Sequence, residues 1–278
     1  MHKLYNRTQD KFIVYNNYRN NYTNVPPVIF LHGLMSSMNS TKALYLIDYC
    51  KKNNYNFTIF DNFGHGESLG TFADQTISDW LEGVELVLDK LIEDQAIIVG
   101  SSMGGWLALL TALKFPNKVK GLICLAPAPD FTEEIWQNIS AEDQIKMQKE
   151  GVLEIGGKRC SYTYPIGYKL IEDAKKHLLL TKNEINIDVP VHLIHGMLDE
   201  DVPYNTSLKL LEKITSKQII MKLIKDGHHN LNREEDLKVM TNSLEEVIYL
   251  INKKLVDEAQ FGKEQGVCKP RSGAYNST

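Results

Sequence analysis

A serine stands between glycines in the segment Gly100-Ser101-Ser102-Met103-Gly104, directly after an apolar run and directly before small and apolar residues. Such a Gly-x-Ser-x-Gly pattern is typical of a tight strand-to-helix turn, in which larger side chains beside the serine would collide. Ser102 is therefore expected to adopt a strained backbone conformation that exposes its hydroxyl. The backbone N–H of Met103, at the start of the helix, is free to donate to a developing oxyanion. We interpret Ser102 as a candidate nucleophile.

A second run of this kind, His32-Gly33-Leu34-Met35, follows an apolar strand early in the chain. The loop after a central strand can supply another backbone donor to an oxyanion, and Leu34 is our candidate for it. The alternative is a simple turn. We expect His32 to shape this loop rather than to ionise during catalysis.

An activated serine needs a base, and the base needs an acid that orients it. Residues 195–203, which follow another buried strand, contain three acids: Asp199, Glu200 and Asp201. Asp199 lies four residues beyond His195, far enough for the chain to turn back over the edge of the sheet. We predict Asp199 as the orienting acid and keep Asp201 as the alternative.

Two adjacent histidines, His228 and His229, follow the last predicted strand and precede the last helix. Only one of them can face Ser102, and we predict His229, with His228 as the alternative. His65 is flanked by glycines, but it precedes the nucleophile, and we expect it to have a structural role.

The segments between these residues alternate in character. Short apolar runs indicate strands buried on both faces, and helical periodicity between them predicts a mostly parallel sheet flanked by helices. The apolar runs are Val28–Leu31, Phe57–Phe60, Ala96–Val99, Leu122–Leu125 and Val191–Ile194. The helical segments are 41–52, 75–93 and 105–115, and residues 11–18 and 218–224 are expected to add strands at the two ends.

The regular alternation breaks between residues 128 and 189, a stretch too long for a simple connection. We predict a cap with helices over 133–149 and 166–180 and a turn-rich link over 151–164. The predicted organisation is a core over 1–131 and 189–255, a cap insertion over 132–188, and a mobile tail over 256–278. Met35, Trp106 and Trp136 are candidate substrate contacts, and the cap aromatics Tyr162 and Tyr164 are further candidates.

Composition narrows the functional classes. The chain has 278 residues, 43% hydrophobic and 24% charged, which is typical of a globular protein, and its net charge of -4 gives no basic surface for nucleic acid. No apolar run approaches the roughly 18 residues of a membrane span, and the first residues contain neither an apolar signal core nor an Arg-rich leader. The four cysteines show no metal-ligand spacing. We expect a cytoplasmic protein without stable membrane insertion, metal or cofactor.

The order Ser102, Asp199, His229 and the His-Gly loop resemble the α/β-hydrolase superfamily over roughly residues 25–255. Within it, the chain is similar to a group of mitochondrial palmitoyl-protein thioesterases and acyl-glucuronide esterases and to their bacterial relatives. The similarity is carried by residues 38–44, 100–107, 195–199 and 226–229.

The resemblance implies an α/β-hydrolase fold and a serine hydrolase that cleaves carboxylic esters or acyl thioesters through a covalent acyl-enzyme. Its partner would be a small or acylated substrate. The alternatives are a short-chain carboxylesterase, a hydrolase of carbon–carbon bonds, or a non-catalytic member that uses its pocket to bind a ligand.

Overall fold

The computed structural model describes residues 1–156 and 163–265, with side chains as far as residue 254. Strands and helices alternate through most of this part of the chain. In chain order they are β1 (His2–Tyr5), β2 (Phe12–Tyr18), β3 (Val28–Leu31), α1 (Thr41–Lys52), β4 (Phe57–Phe60), α2 (Ile77–Leu91), β5 (Ala96–Ser101), α3 (Met103–Lys114), β6 (Val119–Leu125), α4 (Phe131–Asn138), α5 (Ala141–Glu150), β7 (Val152–Gly156), β8 (Thr163–Gly167), α6 (Tyr168–Ala174), β9 (Val191–Gly196), α7 (Asn205–Lys213), β10 (Ile219–Ile224) and α8 (Glu234–Gln265).

Eight strands form one sheet in the order β1-β2-β4-β3-β5-β6-β9-β10. The six strands from β4 to β10 in this order are parallel, whereas β1 and β2 pair antiparallel at one edge. The predicted parallel sheet is confirmed, because the apolar runs need cover on both faces. β1 is short and polar, and the sequence pattern did not predict it.

Two apolar layers cover the sheet. In β5, Ile98 packs in the layer that contains α2 and α3, whereas Ile97 and Val99 pack in the layer that contains α1 and α8. Alternate residues of a strand face opposite sides, so a continuous apolar run serves both layers. The carboxyl ends of the parallel strands therefore meet at one edge, between helices that hold them rigidly.

The insertion between β6 and β9 differs from the prediction in two ways. The expected helix over 133–149 is divided into α4 and α5, because the Ser140 hydroxyl accepts the N–H of Asp143 at 3.0 Å and starts a new helix. The expected link over 151–164 contains β7 and the start of β8, which form an antiparallel hairpin.

Two buried carboxylates fasten this insertion to the core. Asp130, just before α4, accepts the N–H of Leu179 at 2.8 Å and the N–H of Leu180 at 2.8 Å. Burial raises the pKa of Asp130, and these two bonds only partly oppose the rise. Asp173 in α6 accepts both the N–H and the hydroxyl of Ser78 at 2.8 Å, at the start of α2.

The last helix is longer than predicted. α8 continues to Gln265, so residues 256–265, which fall in the predicted mobile tail, are helical. Residues 266–278 lie outside the described residues, as do Tyr162, Cys160 and Cys268. The other two cysteines, Cys50 and Cys124, are buried free thiols.

Candidate active site

The turn between β5 and α3 holds Ser102 in a backbone conformation that L-residues rarely adopt. Its φ is 55° and its ψ is -119°. A Cβ on Gly100 would collide with the carbonyl of Gly104, and a Cβ on Gly104 would collide with the carbonyl of Leu31. The glycines of the Gly-x-Ser-x-Gly pattern are therefore required by backbone packing, and the turn presents Ser102 at the carboxyl edge of the sheet.

Three predicted residues meet at this edge from three different loops. The Ser102 hydroxyl lies 3.0 Å from Nε2 of His229, and Nδ1 of His229 lies 2.8 Å from Oδ2 of Asp199. These distances allow the serine O–H to donate to the imidazole and the imidazole N–H to donate to the carboxylate. The order of groups suits a nucleophile, a proton acceptor and an orienting acid.

The Asp199 carboxylate is held on both oxygens. Oδ1 accepts the N–H of Asp201 at 3.0 Å and the N–H of Val202 at 2.8 Å, while Oδ2 faces His229 and His195. Burial alone would raise the pKa of Asp199, but the hydrogen bonds from the two histidines outweigh burial and hold it well below its usual range. Asp199 is therefore a carboxylate at neutral pH.

Backbone contacts between two loops distinguish the neighbouring alternatives. A Cβ on Gly196 would collide with the carbonyl of Gly227, so the loop after β9 runs directly against the loop after β10. In this arrangement His228 is exposed and its Nδ1 donates to the carbonyl of Leu198 at 3.0 Å, while His229 faces Ser102. Asp201 contributes its backbone N–H to Asp199.

The two predicted oxyanion donors lie beside Ser102. Within residues 1–156 and 163–265, the backbone N–H of Leu34 and that of Met103 have no hydrogen-bond partner. A Cβ on Gly33 would lie 3.3 Å from Cβ of Ser102, so the loop after β3 is close to the serine. Both amides are available to a negative oxygen at this place.

His32 and His65 belong to the structure that supports this loop. The N–H of Asn62 donates to Nε2 of His32 at 3.0 Å, and Nδ1 of His32 therefore donates to the carbonyl of Gly33 at 2.8 Å. Burial lowers the pKa of His32 to about 4, so the ring is neutral near pH 7. His65 packs against His32 and Trp80, and its Nδ1 donates to the carbonyl of Phe63.

A cavity of about 530 Å³ lies between Ser102 and the insertion, within the usual size range of small-molecule sites. One wall is the apolar face of α4 and the residue after it, and the other is the β7–β8 hairpin. The apolar residues of these walls are Phe131, Ile135, Ile139, Ile155 and Tyr164. Ile155 and Tyr164 are direct partners across the hairpin. The β7–β8 hairpin, which the sequence pattern did not predict, thus forms part of the candidate site.

The structure corrects two of the three predicted substrate contacts. Met35 lines the cavity, but Trp106 and Trp136 are not among the described residues that do. Trp106 is fully buried in the core, where its indole N–H donates to the carbonyl of His177 at 3.2 Å. Trp136 packs instead against the ring of Tyr168. Tyr164, a further candidate, does line the cavity.

Ligand atoms of Asp199, Asp201 and His229 lie within 4.8 Å of one another, the one such group of possible metal ligands in the described part of the chain. Asp199 already hydrogen-bonds to His229, and His229 to Ser102. These hydrogen bonds fit a path for proton transfer better than a metal site.

Comparisons with known proteins show the family of this chain. The family described as the alpha/beta hydrolase fold matches residues 26–149. The mitochondrial palmitoyl-protein thioesterase ABHD10 of Mus musculus is 35% identical over 225 residues, which cover 80% of this chain and 75% of the relative. The protein belongs to the α/β-hydrolase fold family, and it is homologous to ABHD10.

Two solved structures extend the similarity to three dimensions. An inferred hydrolase from Agrobacterium vitis S4 has a TM-score of 0.83 at 33% identity and covers 89% of this chain and 97% of its own. Mouse ABHD10 has a TM-score of 0.78 at 31% identity and covers 93% of this chain and 100% of its own.

The names of the ABHD10 relatives carry the word mitochondrial, so these relatives do not support the predicted cytoplasmic location. Over the residues that the structure describes, no helix combines the length and the apolar character that crossing a bilayer requires.

Proposed function

We propose that this protein is a serine hydrolase that cleaves carboxylic esters and acyl thioesters through a covalent acyl-enzyme on Ser102. The proposal is carried by one observation, the unbroken hydrogen-bond chain from Ser102 through His229 to Asp199. It is supported by the family of the chain and by the activity in the name of its ABHD10 relatives.

The reaction follows from the positions of these groups. Ser102 attacks the acyl carbon, and His229 takes the serine proton at Nε2 and then delivers it to the leaving oxygen or sulfur. Asp199 keeps Nδ1 protonated and stabilises the imidazolium. The amides of Leu34 and Met103 hold the oxyanion, an effect on the order of 3–4 kcal/mol per donor. Water then attacks the acyl-enzyme by the same route and releases the acid.

The cavity suggests where the acyl chain lies. Its walls of isoleucine, phenylalanine and tyrosine side chains favour an apolar chain over a polar one, because burial of apolar surface stabilises binding by about 25 cal/mol per Å². We therefore propose a medium to long acyl group, as in a palmitoyl thioester. The same cavity would accept the acyl part of an oxygen ester.

A chain-length series tests this proposal. Hydrolysis of p-nitrophenyl esters from C2 to C16 and of a palmitoyl thioester is measured with wild type and with Ser102→Ala. We expect kcat/KM to rise with chain length, to extend to the thioester, and to be lost in the variant. Activity confined to the shortest esters would contradict the proposed acyl class. Failure of a fluorophosphonate to label wild type would contradict the serine mechanism.

The cytoplasmic location predicted from the sequence is part of the proposal. Fractionation of the source cells, followed by detection of the native protein, would decide between the cytoplasm and an organelle.

A further inference from the structure

A second histidine, His195, contacts the same carboxylate oxygen of Asp199 that His229 contacts. His195 is the last residue but one of β9 and is fully buried, and its Nε2 lies 3.1 Å from Oδ2 of Asp199 and 2.9 Å from the carbonyl of Val202. Its other nitrogen, Nδ1, lies 2.7 Å from the hydroxyl of Ser207, which is also fully buried, in α7. In the sequence, His195 directly follows the apolar run of a strand, and no pattern points to Ser207.

The partners determine where the hydrogens lie. The carboxylate oxygen of Asp199 and the carbonyl of Val202 can only accept, so Nε2 of His195 carries a hydrogen. In a neutral imidazole Nδ1 is then an acceptor, and the Ser207 hydroxyl donates to it. Ser207 thereby favours the tautomer that points an N–H at Asp199.

We propose that His195, held in this tautomer by Ser207, is a positioning residue that orients the Asp199 carboxylate and weakens its basicity. This inference rests on the proposed function, because it concerns the acid that orients the general base. The hydrogen-bond chain then runs from Ser207 in α7 through His195, Asp199 and His229 to Ser102, over 2.7, 3.1, 2.8 and 3.0 Å. Only its last three members would be catalytic residues.

Two effects on catalysis follow. A carboxylate that already accepts a bond from His195 stabilises the His229 imidazolium less strongly, which keeps His229 available as a base at lower pH. The bond also fixes Asp199 at the angle that its contact with His229 requires. Loss of the bond should therefore move the acidic limb of the pH profile of kcat/KM to higher pH and reduce kcat.

Other groups around the chain are unchanged by a substitution at His195. His229 is faced by Asp199 and Asp201 from the loop after β9, by Ser102 from the turn before α3, and by its neighbour His228. Lys42 of α1 lines the small polar cavity beside Ser102 and His229. A shift of the acidic limb thus reports the bond to Asp199.

A pair of amide variants separates positioning from packing. In His195→Gln the amide N–H takes the place of Nε2 and can donate to Asp199. In His195→Asn the shorter amide takes the place of Nδ1, so it can reach Ser207 but not Asp199. The matched control is His192→Leu, which replaces a buried histidine three residues earlier on the same strand.

The profile of kcat/KM against pH is measured for each variant with one p-nitrophenyl ester, beside fluorophosphonate labelling and the thermal unfolding midpoint. We expect His195→Asn to move the acidic limb up by about 0.5 pH unit and to lower kcat about 10-fold. His195→Gln should keep the limb and retain kcat within about threefold. His192→Leu should change the unfolding midpoint and leave the limb in place.

The outcomes separate the two proposals. Two results would overturn the role of His195. In one, the acidic limb of the kcat/KM profile stays in place in a folded His195→Asn variant. In the other, the limb moves equally in His195→Asn and His195→Gln. Where His195→Asn does not fold, Ser207→Ala decides: a lower kcat with an upward limb supports the proposal, and an unchanged profile overturns it. Wild type that neither reacts with the fluorophosphonate nor cleaves the ester overturns the proposed function and, with it, this inference.

Discussion

The edge of the sheet that carries Ser102 and the insertion that covers it are held in place by different kinds of contact. At the edge, backbone atoms touch so closely that Gly100, Gly104 and Gly196 leave no space for a Cβ. Over its described residues, the insertion has one backbone contact of this kind, between Gly167 and Ala73, and otherwise packs through side chains, among them the carboxylates of Asp130 and Asp173.

This difference separates the candidate catalytic residues from the residues that line the cavity. Backbone packing cannot relax by a change of rotamer, so the distances between Ser102, His229 and Asp199 should be insensitive to most surface changes. Side-chain bonds can open one at a time, and the walls of the cavity can then move without disturbing the contacts among Ser102, His229 and Asp199. Substitutions at the edge should therefore affect kcat, and substitutions in the insertion should affect KM.

The largest effect is expected at the base. His229→Ala should lower kcat by roughly 10³-fold or more, because no other group can take the proton of Ser102. Adding Ser102→Ala should change little further, since the two residues act as a unit. Ester hydrolysis under saturating substrate measures both. The neighbouring variant His228→Ala should lose less than about 10-fold, and the reverse result would assign the base to His228.

A smaller loss is expected at the acid. Asp199→Asn should lower kcat by about 10²-fold, because an amide can present N–H to His229 and favour the wrong tautomer. The matched variant Asp201→Asn keeps the backbone N–H that Asp199 accepts and should retain kcat within about threefold. Steady-state kinetics on one ester compares them, and a greater loss in Asp201→Asn would move the orienting role to that residue.

The smallest effect is expected in the insertion. Asn tolerates the left-handed backbone of Asp130, whose φ is 60°, but its one amide oxygen must accept both N–H groups in place of two carboxylate oxygens. Hydrogen bonds to a charged acceptor are stronger than those to a neutral one by about 1 kcal/mol, so the variant loses local stability. Asp130→Asn should therefore raise KM for a C12 ester about fivefold, with kcat within threefold.

Amide hydrogen exchange at Leu179 and Leu180 should become faster in the same Asp130→Asn variant. Asp188→Asn, a change of the same chemistry at an exposed aspartate of the insertion, is the control for both measurements. Equal loss of kcat and of affinity in Asp130→Asn would contradict the separation between edge and insertion.

The sequence predicted the edge better than the insertion, for physical reasons. Ser102, Asp199 and His229 follow strands whose apolar runs are unmistakable, and parallel strands bring such ends together whatever the loops contain. The pattern left His228 open beside His229, and the 3.0 Å between Nε2 of His229 and the Ser102 hydroxyl favours His229.

The failures have specific causes. β7 has only five residues and follows Gly151, so its alternation of buried and exposed residues is too short to predict a strand among turn residues. Trp106 is close in sequence to the turn that carries Ser102, but its side chain is buried in the core. The role suggested for His195 depends on Ser207, twelve residues away on the next helix, and no local pattern links the two.

The bonds from Asp130 to Leu179 and Leu180 have an evolutionary consequence, because they bring a residue near the start of the insertion beside residues near its end. A segment that leaves and re-enters at one point can lengthen, shorten or be exchanged for another with little cost in loop closure, since that cost grows only slowly with length. Relatives that share the sheet can thus diverge in acyl preference by replacement of a whole module. Transfer of residues 131–180 between two such relatives should carry chain-length preference with it.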